Sequence, residues 1–248
     1  MILVRLKGGL GNQLFQYATA RRLAISRNTE LVLDTSWYAA PPGGDTPRAF
    51  ELSHYRTDGR AMTPAEARRA RLCSGRLLSR LPLPRPWKLF RERGFAFDPT
   101  VLDLPDNTYL DGYWQSPRYF DDIADIIRAE FQPHAPPGPE DARLAALMAD
   151  SNSVSVHVRR GDYVHSAVAS SVHGTCSLDY YRRAVEDVVA ETGAAHFFVI
   201  SDDPVWSREN LVFPGPTAYI GHNGPATAFQ DLRLMSLCRH NIVANSSF

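Results

Sequence analysis

The sequence has few cysteines and no long apolar run. Its 248 residues contain three cysteines, Cys73, Cys176 and Cys238, which are far apart and form no CxxC pair. An odd number of widely spaced thiols predicts neither a disulfide framework nor a zinc site, and we infer a reducing compartment, the cytoplasm. No apolar run approaches the roughly 18–20 residues that span a bilayer. The start, MILVRLKGG, is typical of a first core strand rather than of a signal peptide.

The sequence also has no net charge. The chain has 27 basic and 27 acidic residues, and all but two of the cations (Lys7 and Lys88) are arginines. A neutral field argues against nucleic acid or a membrane surface as the main partner, while it leaves room for a local basic pocket that binds phosphates. The length suits one large or two small domains.

Strands and helices alternate in two stretches, a pattern typical of α/β folds with parallel sheets. The first contains the predicted strands Ile2–Leu6, Glu30–Leu33 and Asn107–Tyr113 and the helices Asn12–Arg27, Thr63–Arg71 and Pro117–Phe131. The second contains the strands Ser153–Val158, His196–Ile200, Ala218–Ile220 and Asn241–Ala244 and the helices Glu140–Ala149, Leu178–Glu191, Pro204–Asn210 and Ala226–Cys238. The proline-rich PHAPPGP lies between them. We therefore predict two Rossmann-like domains, 1–138 and 139–248, facing each other across a cleft.

A glycine-rich loop, KGGLGNQ, joins the first strand to the first helix. Gly9 and Gly11 fit the first two positions of the dinucleotide fingerprint GxGxxG, but Leu14 occupies the third, and no Gly-Lys-Ser/Thr follows as in a phosphate loop. Asp34, at the end of the second strand, suits a ribose-binding acid and keeps a nicotinamide-dependent oxidoreductase open. The adjacent amides of Asn12 and Gln13 suit a neutral polyol, although Asn12 could simply cap the helix.

The end of the predicted strand VHVRRGDYV carries two arginines. Alternation along the strand places His157 and Arg159 on one face, at the carboxyl end where open α/β sheets bind ligands. Arg159 can form a bidentate pair of hydrogen bonds with a phosphate. A structural ion pair between an arginine and Asp162 is the alternative.

Two further strand ends are polar. FFVISDDPVW ends in Asp202 and Asp203, which could hold a metal, accept N–H bonds from a guanine edge, or cap the helix that begins at Pro204, a role that suits Asp203. The last predicted strand ends in Asn245, Ser246 and Ser247. Hydroxyl and N–H groups in that position suit a phosphate, and a simple turn is the alternative.

Together these segments resemble glycosyltransferase family 11, the α-1,2-fucosyltransferases and their bacterial relatives. The resemblance rests on segments that occur in this order: GGLGNQLFQYA, YLDGYWQS, HVRRGDYV, GTCSLDYYRRAV, SDDPVW and DLRLMSLCRHNIVANSSF. It covers most of 1–24 and 153–248 and matches the middle only loosely. It implies a GT-B-type fold and an inverting, metal-independent transfer of fucose from GDP-fucose, without a cofactor, to a galactose-containing glycan, in which O2 of a galactoside is the expected acceptor.

The resemblance also implies roles for individual residues. The catalytic roles fall to Arg159, Asn12 and Asp162. The implied donor-binding residues are Arg159 on the diphosphate, His157 and Asp203 on the guanosine, Ser246 and Ser247 on phosphate oxygens, Phe248 near the base or ribose, and Arg160 in support. The implied floor of the fucose and acceptor site consists of Gly9, Gly11, Asn12 and Gln13.

The general base is left open by the sequence. Asp34, Asp162 and His173 are the candidates, and Asn12 could instead only orient the acceptor. The family normally continues past NSSF with a tryptophan-rich segment and a closing helix, so we expect that the donor domain is truncated here. A non-catalytic protein that binds nucleotide sugars or glycans is therefore a further alternative. Peripheral association with glycan-assembly machinery is compatible with such an enzyme.

Overall fold

The structure, a computed structural model, describes residues 1–41, 47–74, 87–161, 175–193 and 195–248. The chain divides into two compact units, Met1–His134 with Ser247–Phe248, and Ala135–Ser246. The separation after His134 lies in the proline-rich segment in which the sequence predicts a boundary. Among the described residues, no helix is both long enough and apolar enough to cross a membrane.

The first unit is built on a parallel sheet with the strand order β3-β2-β1-β5-β4. Its strands are β1 Ile2–Arg5, β2 Leu31–Asp34, β3 Arg60–Ala61, β4 Lys88–Arg91 and β5 Thr108–Asp111. Its helices are α1 Leu10–Ser26, α2 Ser36–Ala39, α3 Pro64–Ser74 and α4 Ala124–Glu130, with short 3₁₀ turns at Leu52–His54, Pro99–Asp103, Pro117–Tyr119 and Asp121–Ile123. Because all strands run parallel, their carboxyl ends meet at one edge, where Arg5 pairs in register with Asp34 and Arg91 with Asp111.

The second unit has its own parallel sheet, in the order β8-β7-β6-β9. Its strands are β6 Ser153–Val158, β7 His196–Ser201, β8 Thr217–Ile220 and β9 His240–Ile242, and its helices are α5 Pro139–Ala149, α6 Leu178–Thr192, α7 Pro204–Asn210 and α8 Ala228–Leu237. All six residues of β6 are buried, as expected for a central strand covered on both faces. The α/β class with two parallel sheets is thus confirmed.

One predicted helix is wrong. Pro117–Phe131 forms two 3₁₀ turns followed by the short helix α4, because the backbone of Phe120, at φ −148° and ψ 15°, cannot continue a helix. The predicted apolar stripe is broken as a result, so that Tyr119 and Ile127 are buried while Ile126 is exposed. The sequence analysis also missed the short strand β3 and the strand β4.

Gln13 fixes the glycine loop from inside the first unit. Its side chain has no exposed surface. Nε2 donates to the carbonyl oxygens of Gly8 (3.2 Å) and Ala49 (2.9 Å), while Oε1 accepts from the N–H groups of Glu51 (2.9 Å) and Leu52 (3.3 Å). The amide is therefore saturated by the backbone. The structure thus places the Gln13 side chain beneath the predicted site floor, and its role toward a sugar stays a prediction.

We expect Gln13→Leu to destabilise the protein strongly. The substitution leaves the Glu51 and Leu52 N–H groups and the Ala49 carbonyl without their partner, at about 1–3 kcal/mol for each buried group. A loss of about 3 kcal/mol or more corresponds to a fall of roughly 6–12 °C in Tm for a chain of this size. The measurement is thermal unfolding followed by circular dichroism. The matched control is Gln132→Leu, at an exposed glutamine that donates only to the Arg128 carbonyl. An equal, small effect of both substitutions would contradict this account of the loop.

Candidate active site

Asp202 organises the carboxyl end of the second sheet. The register of β6 and β7 pairs Val158 with Ser201, so the residues that follow the two strands are neighbours. Arg159 Nη1 lies 3.0 Å from Asp202 Oδ2. The backbone N–H groups of Arg160 and Gly161 donate to Asp202 Oδ1 and Oδ2, at 2.8 and 3.0 Å. One carboxylate thus holds both the turn after β6 and the guanidinium of Arg159.

Gly161 is required by this close approach. A Cβ atom at this position would lie 2.8 Å from Asp202 Oδ2. Any larger residue would therefore push the carboxylate away from the turn that it holds. Of the adjacent residues, Asp162 lies outside the described part of the chain.

Arg160 has a different environment. Its guanidinium carbon lies 3.5 Å from the ring centroid of Trp206, and its Nε lies 3.8 Å from Asp203 Oδ2. Asp203 caps α7 by accepting the N–H of Trp206 at 3.1 Å, with Pro204 in the first turn. The capping role that the sequence allowed for Asp203 is therefore present. The cap also orients Trp206, and its ring in turn fixes Arg160 by a cation–π contact.

His157 is a buried, neutral imidazole on this edge. It is 4% exposed on the central strand β6. Burial lowers the pKa of His157 to about 4, the positive charge of Arg159 acts in the same direction, and Asp202 opposes them. At neutral pH the ring therefore carries one N–H donor and one nitrogen acceptor, a pattern suited to a nucleobase or a ribose hydroxyl.

The last residues of the chain contribute to both units. After β9, the Cys176 thiol lies 3.5 Å from Asn245 Oδ1, and the Ser246 N–H donates to the Ala244 carbonyl at 2.8 Å. Ser247 and Phe248 group with the first unit. A Cβ atom on Gly11 would clash with the backbone carbonyl of Ser247, so Gly11 is needed for this backbone contact.

The glycine loop lies at the carboxyl end of β1. Gly8 has φ +78°, a left-handed conformation that favours glycine, and its carbonyl accepts from the Tyr38 hydroxyl at 3.2 Å. Gly9, rather than Asn12, is the N-cap residue of α1, and no described atom lies within 4 Å of the Cβ position at Gly9. Asn12 Oδ1 accepts from Gln115 Nε2 at 2.6 Å. The loop therefore offers backbone groups to a ligand, together with the paired amides of Asn12 and Gln115.

The segment YLDGYWQS forms a tightly held turn beside this loop. Glu92 accepts the N–H groups of Tyr113 (2.6 Å) and Trp114 (2.9 Å). Trp114 is fully buried at φ +48°, while the other two non-glycine residues with positive φ in the described ranges are asparagines. A bulky residue in this region is strained by about 1–3 kcal/mol, a condition that concentrates at functional sites. The turn supports Gln115, which is exposed.

A lysine lies on the same edge of the first sheet. Lys7 Nζ is 2.9 Å from Asp111 Oδ1 and 4.7 Å from the ring centroid of Tyr113. Although burial opposes it, the hydrogen bond from Lys7 and the neighbouring arginines lower the pKa of Asp111. The aspartate is therefore ionised and held in an ion pair.

Of the three candidate bases of the sequence analysis, the structure describes Asp34. Asp34 is 2% exposed, with Oδ1 accepting the Ser36 N–H (2.9 Å) and Oδ2 the Tyr109 hydroxyl (2.5 Å). Both oxygens accept a hydrogen bond within the first unit, and a ligand role for Asp34 stays a prediction. Asp162 and His173 lie outside the described residues. No group of three or more His, Cys, Asp or Glu side chains in the described ranges could hold a metal ion.

The sequence analysis missed four residues of these edges: Asp202 as the partner of Arg159, Trp206 under Arg160, Gln115 beside Asn12, and Glu92 behind the turn. The register of two adjacent parallel strands would have identified Asp202, because Arg159 and Asp202 each follow a strand end. Nothing in the sequence indicates Glu92, whose role depends on the strand β4.

Comparisons with known proteins give the family. Residues 92–248 match the model of glycosyl transferase family 11. The chain is 31% identical over 256 residues to an alpha-1,2-colitosyltransferase of Escherichia coli, covering 100% of this chain and 85% of the relative. It is 27% identical over 250 residues to galactoside alpha-(1,2)-fucosyltransferase 1 of Ateles belzebuth, covering 97% of this chain and 61% of that protein.

The fold has solved counterparts. A structure of the alpha-1,6-fucosyltransferase NodZ soaked with GDP-fucose superposes with a TM-score of 0.50 at 18% identity, covering 98% of this chain and 87% of that one. This likeness concerns the fold alone. The match to the family model and the identity to full-length relatives lead to one conclusion: the chain belongs to glycosyl transferase family 11 and is a glycosyltransferase.

Proposed function

We propose that the chain transfers L-fucose from GDP-fucose, with inversion, to O2 of a galactoside in a glycan. The observation that carries this proposal is Arg159, held by Asp202 at the carboxyl end of β6 beside the buried, neutral His157. The α-1,2 linkage and the galactoside acceptor follow the names of relatives in the family. Direct support would be the formation of 2′-fucosyllactose from GDP-fucose and lactose, with the α linkage identified by NMR. The alternative of a non-catalytic binding protein predicts no product.

The donor end is assigned to the second unit, within the predicted domain 139–248. Cleavage of GDP-fucose leaves negative charge on the β-phosphate, and preorganised cations and N–H groups stabilise charge as it develops. Arg159 serves this role, Arg160 supports it, and Ser246 and Ser247 bind phosphate oxygens.

The guanosine is assigned to the groups around this phosphate site. His157 and Asp203 contact the guanosine, while Phe248 lies near the base or the ribose. Because arginines supply the positive charge, we infer that no metal is required and expect the reaction to continue in EDTA.

The acceptor end is assigned to the first unit, within the predicted domain 1–138. Gly9 leaves room for a sugar to approach the backbone, and the Asn12–Gln115 pair offers amide donors and acceptors to neutral hydroxyl groups. Gln13 and Gly11 act beneath this surface by holding the loop.

The predicted catalytic roles are proposed for Arg159 and for Asn12, which orients the acceptor, and the role of Asp162 stays a prediction.

One observation favours a second donor. The relative at 31% identity is named a colitosyltransferase. Colitose is L-fucose without the 3-hydroxyl group, so the two GDP-sugars share the diphosphate and guanosine on which the donor site depends. Turnover of GDP-fucose and GDP-colitose under identical conditions decides between them. We also infer that the enzyme works in the cytoplasm, as the sparse cysteines predict, and that it associates peripherally with glycan-assembly machinery.

We expect Arg159→Ala to weaken donor binding strongly with little loss of fold. Charge-assisted hydrogen bonds contribute about 1.5–3 kcal/mol, so the affinity for GDP should fall roughly 10- to 150-fold. Thermal shift with GDP in EDTA measures this directly. Arg182→Ala, at an exposed arginine paired with Asp179 on α6, is the control and should keep wild-type GDP stabilisation. Normal turnover by the Arg159→Ala variant would contradict the proposal that Arg159 binds the donor diphosphate.

Asp202→Asn should separate positioning from folding. Asparagine keeps one acceptor for the turn but removes the charge that holds Arg159, so KM for GDP-fucose should rise about tenfold. The same change removes the charge that raises the pKa of His157, and its imidazole should titrate at still lower pH by NMR. Asp179→Asn, at an exposed aspartate, should change neither value. An unshifted His157 together with an unchanged KM would exclude this role.

Gln115→Ala tests the acceptor end. Losing one side of the amide pair should raise KM for lactose about five- to tenfold while KM for GDP-fucose stays constant. Gln132→Ala, at another exposed glutamine of the first unit, should leave both constants unchanged. If the donor constant alone moved, the assignment of this edge to the acceptor would be wrong.

A further inference from the structure

The mechanism above leaves the proton of the acceptor hydroxyl unassigned. We propose that the carboxylate of Glu51 is the general base that receives it. This inference rests on the proposed function, because it concerns the acceptor side of the same reaction. Two observations support this inference. One is the position of Glu51, and the other is the set of contacts that already hold the neighbouring acidic side chains.

Glu51 is tied directly to the glycine loop. Its backbone N–H donates to Gln13 Oε1 at 2.9 Å, and the other end of that amide donates to the Gly8 carbonyl at 3.2 Å. Tyr38 approaches from α2, where its hydroxyl donates to the same Gly8 carbonyl and its ring lies 5.8 Å from the ring of Phe50. Glu51 therefore lies against the glycine loop, beside the Gly8 carbonyl that follows β1.

The Glu51 carboxylate lies close to Tyr38, whose hydroxyl donates to the Gly8 carbonyl. Burial raises the pKa of the Tyr38 hydroxyl, and the negative charge of Glu51 acts in the same direction, so the carboxylate lies near this phenol. Among the residues that the structure describes, no hydrogen bond or ion pair involves the Glu51 carboxylate. By contrast, Asp34, Glu92 and Asp111 on this edge are each held by the contacts described above.

The environment of Glu51 favours proton uptake. The residue is half-buried, and burial raises the pKa of its carboxyl group while the positive charge of Arg48 opposes the shift. The charged and titratable groups that face it are Arg48 from the preceding segment and Tyr38 from α2, with Tyr113 beyond Tyr38. A carboxylate with a raised pKa and no cationic partner in contact is the type of group that serves as a base near neutral pH.

The step balances without another reactant. The acceptor oxygen forms a bond to C1 of fucose, and the bond from C1 to the β-phosphate oxygen breaks with its electron pair leaving on GDP. The acceptor proton passes to a Glu51 carboxylate oxygen and then to water when the product leaves. Attack from the face opposite the phosphate inverts C1.

The decisive variant is Glu51→Gln, which preserves shape and backbone contacts but cannot take a proton. We expect kcat for transfer to lactose to fall about 10²–10⁴-fold, the usual contribution of a general base. GDP should still stabilise the variant as it does the wild type. The acidic limb of the wild-type kcat profile should lie above the ordinary glutamate pKa of about 4.3 and should be absent from the variant's residual activity. Glu51→Asp should recover part of the rate.

The control is Glu209→Gln, at an exposed glutamate of the second unit, which should keep the wild-type rate and pH profile. A Glu51→Gln variant that binds GDP and transfers at the wild-type rate, or that keeps the acidic limb, overturns the base assignment and leaves the proposed function intact. A wild-type protein that neither binds GDP nor forms product overturns the proposed function, and the base assignment falls with it.

Discussion

The ion pair between Arg159 and Asp202 is the contact on which the donor edge depends. An arginine at a strand end has many rotamers, and an unheld guanidinium would lose much of its binding energy in being ordered on a phosphate. Asp202 removes that freedom, and it also accepts the two N–H groups of the turn from which Arg159 projects. The parallel register of β6 and β7 makes this arrangement possible, because it brings residues that are more than forty positions apart to adjacent strand ends.

The glycine loop of the first unit is held by side chains that bind its backbone and that of the neighbouring turn. The loop has little side chain of its own, so its shape has to come from what lies beneath it. The buried amide of Gln13 binds backbone groups from two segments and fixes the loop, and the carboxylate of Glu92 binds two successive N–H groups and fixes the neighbouring turn. Loops that are held in this way can present backbone and exposed amides to a ligand in a defined geometry, which loops held only by their own torsions cannot do.

The sequence predicted the central strands of both sheets, missed β3 and β4 of the first sheet, and gave the site contacts only in part. Apolar strands such as SVSVHV and HFFVIS could be found because both faces of a central parallel strand are buried, and helix starts such as Ser177 and Asp203 carry recognisable caps. The helix expected from Pro117 failed because Phe120 breaks the helix, a tertiary effect that periodicity does not report. Gln13 looked like a ligand residue since two adjacent amides follow the glycines, and only the burial of its side chain shows that it serves the fold.

The charged groups at the two sheet edges differ in whether a neighbouring side chain holds them, and the proposed chemistry explains the difference. A group that holds a phosphate has to stay in one place and one charge state, so Arg159 and Arg160 are each fixed by an acidic or aromatic neighbour, and burial keeps His157 neutral. A group that accepts a proton during the reaction gains from the reverse, because a direct cationic partner would lower its pKa and weaken it as a base. Glu51 is half-buried and its carboxylate is outside the ion pairs that hold Asp111, so its environment favours the protonated form that the reaction produces. The presence or absence of a neighbouring partner, rather than the number of charges, therefore distinguishes the residues suited to hold a nucleotide from the residue suited to accept a proton.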